Sequence, residues 1–167
     1  MWKKNSKNNQ FVDELIYGFE LLGYGITIQT QQELKSMLEN SEITDNFPMI
    51  SYEQTIESEF YSDISESHFL NSESYNNLWL ICDNGDDVVF ILSLSSKHSK
   101  LIIDVFEIST VYRNQGLSRL ILNTLEEISK EFFNTIELSA FDSKSFDFWT
   151  HMGYIENNTQ LIKIWKK

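Results

Sequence analysis

The stretch VYRNQGLSRLIL, Val111–Leu122, decides how this chain is read. It places Gly116 at the start of an amphipathic helix, four residues before Leu120 and just after a strand-like run. Only 6 glycines occur in 167 residues, and a helix start has better residues to choose from. At a strand-to-helix turn the first helical N–H groups lack partners and point outward, where the helix dipole favours an anion. Gly116 keeps a Cβ out of their approach, Ser118 is small and carries a hydroxyl donor, and Arg113 adds positive charge. Together they read as a pyrophosphate cradle. Taken singly, Gly116 reads as a turn glycine and Arg113 as a solvated charge.

Working outward, Leu117, Leu120, Ile121, Thr124, Leu125, Ile128 and Phe132 recur at helical spacing, which predicts a helix over 114–133 with one buried stripe. Three strand-like runs precede it: NLWLICD, DVVFILSLSS and LIIDVFEIS. The turn signals NGDD and KHSK join them into an antiparallel meander. Upstream, residues 9–22 predict a short helix with Phe11, Leu15, Phe19 and Leu22 on one face, and Tyr24–Thr30 a strand. QTQQELKSMLEN predicts a helix capped by Thr30. Residues 41–74 are acidic and irregular, with a helix expected around Tyr52–Tyr61. Downstream, TIELSAFD predicts a strand, SKSFDFWTHM a helix ending at Gly153, and LIKIWKK a last strand.

The segment Arg113-Asn114-Gln115-Gly116-Leu117-Ser118 resembles the acetyl-CoA loop of the GNAT superfamily of acyl-CoA-dependent N-acyltransferases, Gln/Arg-x-x-Gly-x-Gly/Ala, with Ser118 in place of the last small residue. A second stretch, DSKSFDFWTHMGY, sets Asp142, Ser145, Trp149, Gly153 and Tyr154 at the places of that family's Asn-x-x-Ala-x-x-x-Tyr-x-x-x-Gly-Phe pattern. The resemblance covers roughly residues 24–167. It implies an α/β (α+β) fold: a mixed, mostly antiparallel central sheet flanked by helices. One domain over 1–167 is then expected, with an N-terminal helical extension (1–23), an acceptor-side half (24–96) and an acyl-CoA-binding half (97–167).

The implied reaction is transfer of an acetyl group from acetyl-CoA, as cosubstrate, to a primary amine. An alternative is a catalytically weak acyl-CoA-binding protein of the same fold, acting as a sensor or interaction partner. A lysine-like amine with a pKa near ~10.4 is neutral in only about 1 molecule in 2500 at pH 7, so a base or water relay is useful. The strand before the loop offers Asp104 and Glu107. Three positions apart, they point to opposite faces of a regular strand. Asp104, flanked by Ile102, Ile103, Val105 and Phe106, is the first candidate base, directly or through water, and Glu107 the second; a structural carboxylate is the alternative for Asp104. The resemblance gives the backbone of Ile108 and Ser109 to the pantetheine amides. It puts Arg113 to Ser118, Asp142 and Trp149 at the coenzyme. Trp149 stands where the family commonly carries a tyrosine acid, and indole N–H is too weak an acid for that role. It is expected to pack on the pantetheine arm or in the core.

The net charge of −12 is concentrated. Between Ser36 and Ser96 there is no Lys or Arg against twelve acids, while the flanking sections balance. A nucleic-acid partner is disfavoured, and with it a toxin acetylating aminoacyl-tRNA. The charge favours a cationic partner, such as a polyamine, an aminoglycoside or a basic peptide as acceptor; the alternative, equally open, is that the acids serve solubility alone. No run of 18 apolar residues predicts a membrane span, and the basic N-terminus is not followed by an apolar segment of a secretory signal. The single cysteine, Cys82, reads as a small core residue, which fits a reducing cytoplasm. His68, His98 and His151 show no metal-ligand spacing, so no metal is expected. A homodimer through an exposed edge or the N-terminal helix is left open.

Overall fold

The computed structural model describes residues 6–38, 45–50 and 77–165. Helix α1 (Ser6–Leu21) leads into strand β1 (Gly25–Gln29) and helix α2 (Gln31–Leu38). The meander follows as β2 (Leu78–Asp83), β3 (Val88–Lys97) and β4 (Lys100–Ile108). After a single 3₁₀ turn at Thr110–Tyr112 come α3 (Leu117–Phe132), β5 (Thr135–Leu138), α4 (Ser143–His151), β6 (Ile155–Asn157) and β7 (Gln160–Ile164). The strands form one sheet in the order β1-β2-β3-β4-β5-β7-β6, antiparallel throughout except where β5 joins β4 in parallel.

Both faces of the sheet are covered, which is why β2 and β3 read as nearly unbroken apolar runs rather than alternating ones. One face packs Leu80, Cys82, Phe90, Leu92, Leu101 and Ile103 against α1 and α3. The opposite face sets Trp79, Ile81, Ile91 and Val105 against Leu34 of α2 and against Phe47 and Ile50. The N-terminal helix is part of the first layer: Phe11 meets Phe132 and Phe133 edge-on at ring distances of 5.5 and 5.1 Å. Thr30 caps α2 as expected, in a reciprocal box. Glu33 N donates to Thr30 Oγ1 at 3.3 Å, and Thr30 N donates to Glu33 Oε2 at 2.7 Å.

Three expectations change. The helix expected over 114–133 begins at Leu117, because Asn114 (φ 62°) and Gly116 (φ 76°) are left-handed and cannot lie inside a right-handed helix. Its buried stripe is also rotated: Leu122, Glu126 and Ser129 are inside and Leu120 is exposed, since α1 covers one flank and Lys163 of β7 draws Glu126 inward. The single last strand is a hairpin. Its first arm, β6, is exposed along its length, Ile155 included, so no burial pattern announced it. The helix expected around residues 52–61 lies outside the described residues.

Candidate functional site

Two backbone features meet at the end of β4. The first is a bulge. Ser93 pairs with Val105 and Leu94 with Ile103, leaving Asp104 without an opposite number on β3. On its other side β4 pairs with β5 only from Lys100 to Ile103, so from Asp104 onward that edge has no partner strand. Ser109 N donates to Val89 O at 2.9 Å, which fixes the alternation: Ser109 and Glu107 turn their backbone groups toward β3. Phe106 and Ile108 therefore turn theirs toward the open edge.

The second feature is the loop that follows. Gly116 is the N-cap of α3 and no side chain caps the helix. Asn114 and Gly116 have positive φ with Gln115 between them on the ordinary side, the alternation that makes successive N–H groups converge into a nest for an anion. Among the described residues, the amides of residues 114–119 have no hydrogen-bond acceptor. No acidic residue lies in the first turn of α3, and Arg119 is exposed there, a second cation that the sequence reading did not single out. A Cβ at Gly116 would meet nothing within 4 Å, so the space in front of the turn is open. Coenzyme A would fit this pair of features: a diphosphate on the nest, and an amide-bearing arm along the open edge of β4.

No family model matches the sequence, and no curated protein does. Solved structures match in fold. PaiA N-acetyltransferase from Thermoplasma acidophilum, in complex with coenzyme A, aligns over 85% of this chain and 99% of its own, with a TM-score of 0.54 and 16% identity. Ard1 from Thermoplasma volcanium aligns over 87% of this chain and 99% of its own, with a TM-score of 0.53 and 11% identity. Of PH1933 from Pyrococcus horikoshii this chain spans 66%, with a TM-score of 0.44 and 16% identity. The chain has the GNAT fold.

Within the GNAT fold the expected site residues divide. Asn114, Gln115, Gly116, Leu117 and Ser118 form the nest and the first helical turn. Ile108 lies on the open edge, but its carbonyl already accepts Arg113 Nε at 2.9 Å. Ser109 faces β3 instead, and Phe106, not anticipated, takes its place on the edge. Arg113 remains exposed, but its guanidinium is committed to the chain: Nη2 donates to Glu107 Oε1 at 2.9 Å. Asp142 caps α4, accepting from Ser145 N at 2.7 Å, and that bond holds its carboxyl below the usual range. Trp149 is 6% exposed and packs among Phe106, Phe148 and Tyr154 at ring distances of 6.2, 5.2 and 5.1 Å. It is core.

The two carboxylates on β4 share a face, because the bulge advances the alternation by one. Glu107 contacts Ile50 and Asp104 contacts Ser95, both on the α2 side of the sheet. Glu107 is 3% exposed and both its oxygens are taken: Oε1 accepts Met49 N at 3.0 Å as well as Arg113, and Oε2 accepts Ile50 N at 2.9 Å. Burial pushes its carboxyl above the usual range, and these donors oppose the shift. Asp104 is half-buried, and its Oδ2 has no partner. Burial pushes its carboxyl up to about 6, partly opposed by Ser95. Among the described residues, no cluster of three His, Cys, Asp or Glu could hold a metal ion, and no helix is long and apolar enough to cross a membrane.

Proposed function

We propose that this protein is an acetyl-CoA-dependent N-acetyltransferase acting on a primary amine, carried by a small cationic molecule or a basic peptide. The observation that carries the reading is the uncapped nest at Asn114–Gly116 standing at the end of an unpaired β4 edge. In this reading the nest amides bind the diphosphate, and the outward backbone groups of Phe106 together with the Ile108 N–H hold the pantetheine, the Ile108 carbonyl being taken by Arg113. The thioester then lies near the bulge.

Asp104 is the base. Its carboxylate, with Oδ2 buried and unpartnered, takes a proton from the ammonium through a water that enters with the substrate, and a carboxyl raised to about 6 by burial is ionised and still basic at neutral pH. The neutral amine forms a C–N bond to the thioester carbon, the C–S bond breaks, and the thiolate departs. A thiol pKa near ~8.5 makes thiolate a tolerable leaving group, so a buried tryptophan in place of an acid need not stop turnover. The acidic section between Ser36 and Ser96 supplies a field that attracts a cationic acceptor. One observation favours a second reading, an acyl-CoA-binding protein with little turnover: Trp149, at the acid's place, is fully committed to packing.

Thiol release from acetyl-CoA, followed against polyamines, aminoglycosides and lysine-rich peptides, tests the proposal. Release that depends on one cationic amine supports it. Acetyl-CoA binding with no release across the panel returns the second reading.

A further inference from the structure

The Glu107 carboxylate joins the nest loop, six residues downstream, to a segment far upstream in the sequence. Met49 and Ile50, 58 and 57 residues upstream, donate their backbone N–H groups to it, and Arg113 of the nest loop donates its guanidinium. Arg113 in turn grips the carbonyl of Ile108. A second bridge runs parallel: Thr110 Oγ1 donates to Asn46 Oδ1 at 3.2 Å. Segment 45–50, which lies within the acidic section, is therefore fastened at two points to the end of β4 and the turn that leads to the anion nest. A carboxylate buried to this degree is costly to leave unpaired, so the donors open and close together rather than one by one.

From this geometry we propose that Glu107 is a positioning residue that makes the acceptor-side segment and the nest loop one cooperative unit, so that acyl-CoA binding and acceptor binding stabilise each other. The inference rests on the proposed acetyl-CoA reading. An anion on the nest restrains residues 113–118, restraint of Arg113 holds Glu107, and Glu107 holds the Met49 and Ile50 amides closed. By reciprocity the acceptor strengthens acyl-CoA binding by the same factor.

Amide exchange of the full chain, resolved by residue with NMR and measured with and without coenzyme A, tests this. Coenzyme A is expected to slow exchange at Met49 and Ile50 by about tenfold. In Glu107→Gln, whose NH₂ opposes one of the donors, both amides exchange faster and the response to coenzyme A disappears, although coenzyme A still binds. If that variant does not fold, Arg113→Lys keeps the Glu107 bonds to Met49 and Ile50 but loses the guanidinium fork, and the response shrinks. Coenzyme A binding with no change at Met49 and Ile50 overturns this proposal and leaves the acetyltransferase reading standing, as does a full response retained in Arg113→Lys. Absence of coenzyme A binding overturns both.

Discussion

Asp104 and Glu107 lie three residues apart on β4 yet face the same side of the sheet, and only Asp104 has a free oxygen. The bulge that aligns them also marks where β4 parts from β5, so one irregularity exposes the edge and aims the candidate base.

Replacing Asp104 by Asn separates catalysis from stability. With wild type, kcat/KM should rise with pH through a limb near 6, as the carboxyl ionises. Asp104→Asn should lose that limb and about 10²- to 10⁴-fold in rate. The folded carboxyl titrates near 6 against an ordinary 3.8, so the folded chain holds the proton more tightly across that window. Its contribution to stability is present below the ordinary value and lost as pH rises through the folded one. A thermal melt at pH 8 should therefore find Asp104→Asn no less stable than wild type. An unchanged rate with an unchanged limb removes Asp104 from the mechanism.

Steering by the acidic section should show in salt dependence. The acceptor KM is expected to rise as ionic strength increases, while the KM for acetyl-CoA changes in the opposite direction or little. An acceptor KM that ignores salt leaves the acids with a solubility role alone.

Lys163 is predicted to matter for stability rather than for turnover. Its Nζ reaches Glu126 Oε2 at 2.7 Å and Met152 O at 2.8 Å, and lies 5.3 Å from the centre of the Tyr154 ring. Lys163→Met leaves a buried carboxylate without its cation and should cost about 2–4 kcal/mol in urea unfolding. Adding Glu126→Gln should recover part of that. A loss below about 1 kcal/mol would mean water replaces the lysine.

What could be read from the sequence was local. The Thr30–Glu33 box, the meander turns and the glycine before α3 each announce themselves within a few residues. The bulge at Asp104 did not, because register is set by pairing with β3 and nothing in LIIDVFEIS marks the extra residue. Ser109 was misplaced for the same reason: which residues face an open edge depends on that register. Glu107 looked like a second candidate base until its donors from Met49 and Ile50 were seen, and those lie in a segment with no periodic signal. Arg113 likewise reads as a free cation by composition, whereas its guanidinium is bonded to Glu107 and to the Ile108 carbonyl.

The most direct test is titration calorimetry with acetyl-CoA on wild type, Gly116→Val and Gly23→Val. Both glycines are left-handed with open space around them, so both variants carry a backbone strain of about 1–2 kcal/mol, but only Gly116 borders the nest. Wild type and Gly23→Val should bind alike, and Gly116→Val, still folded, should bind at least about tenfold more weakly. No heat with wild type, or equal affinity in the two variants, would contradict the account.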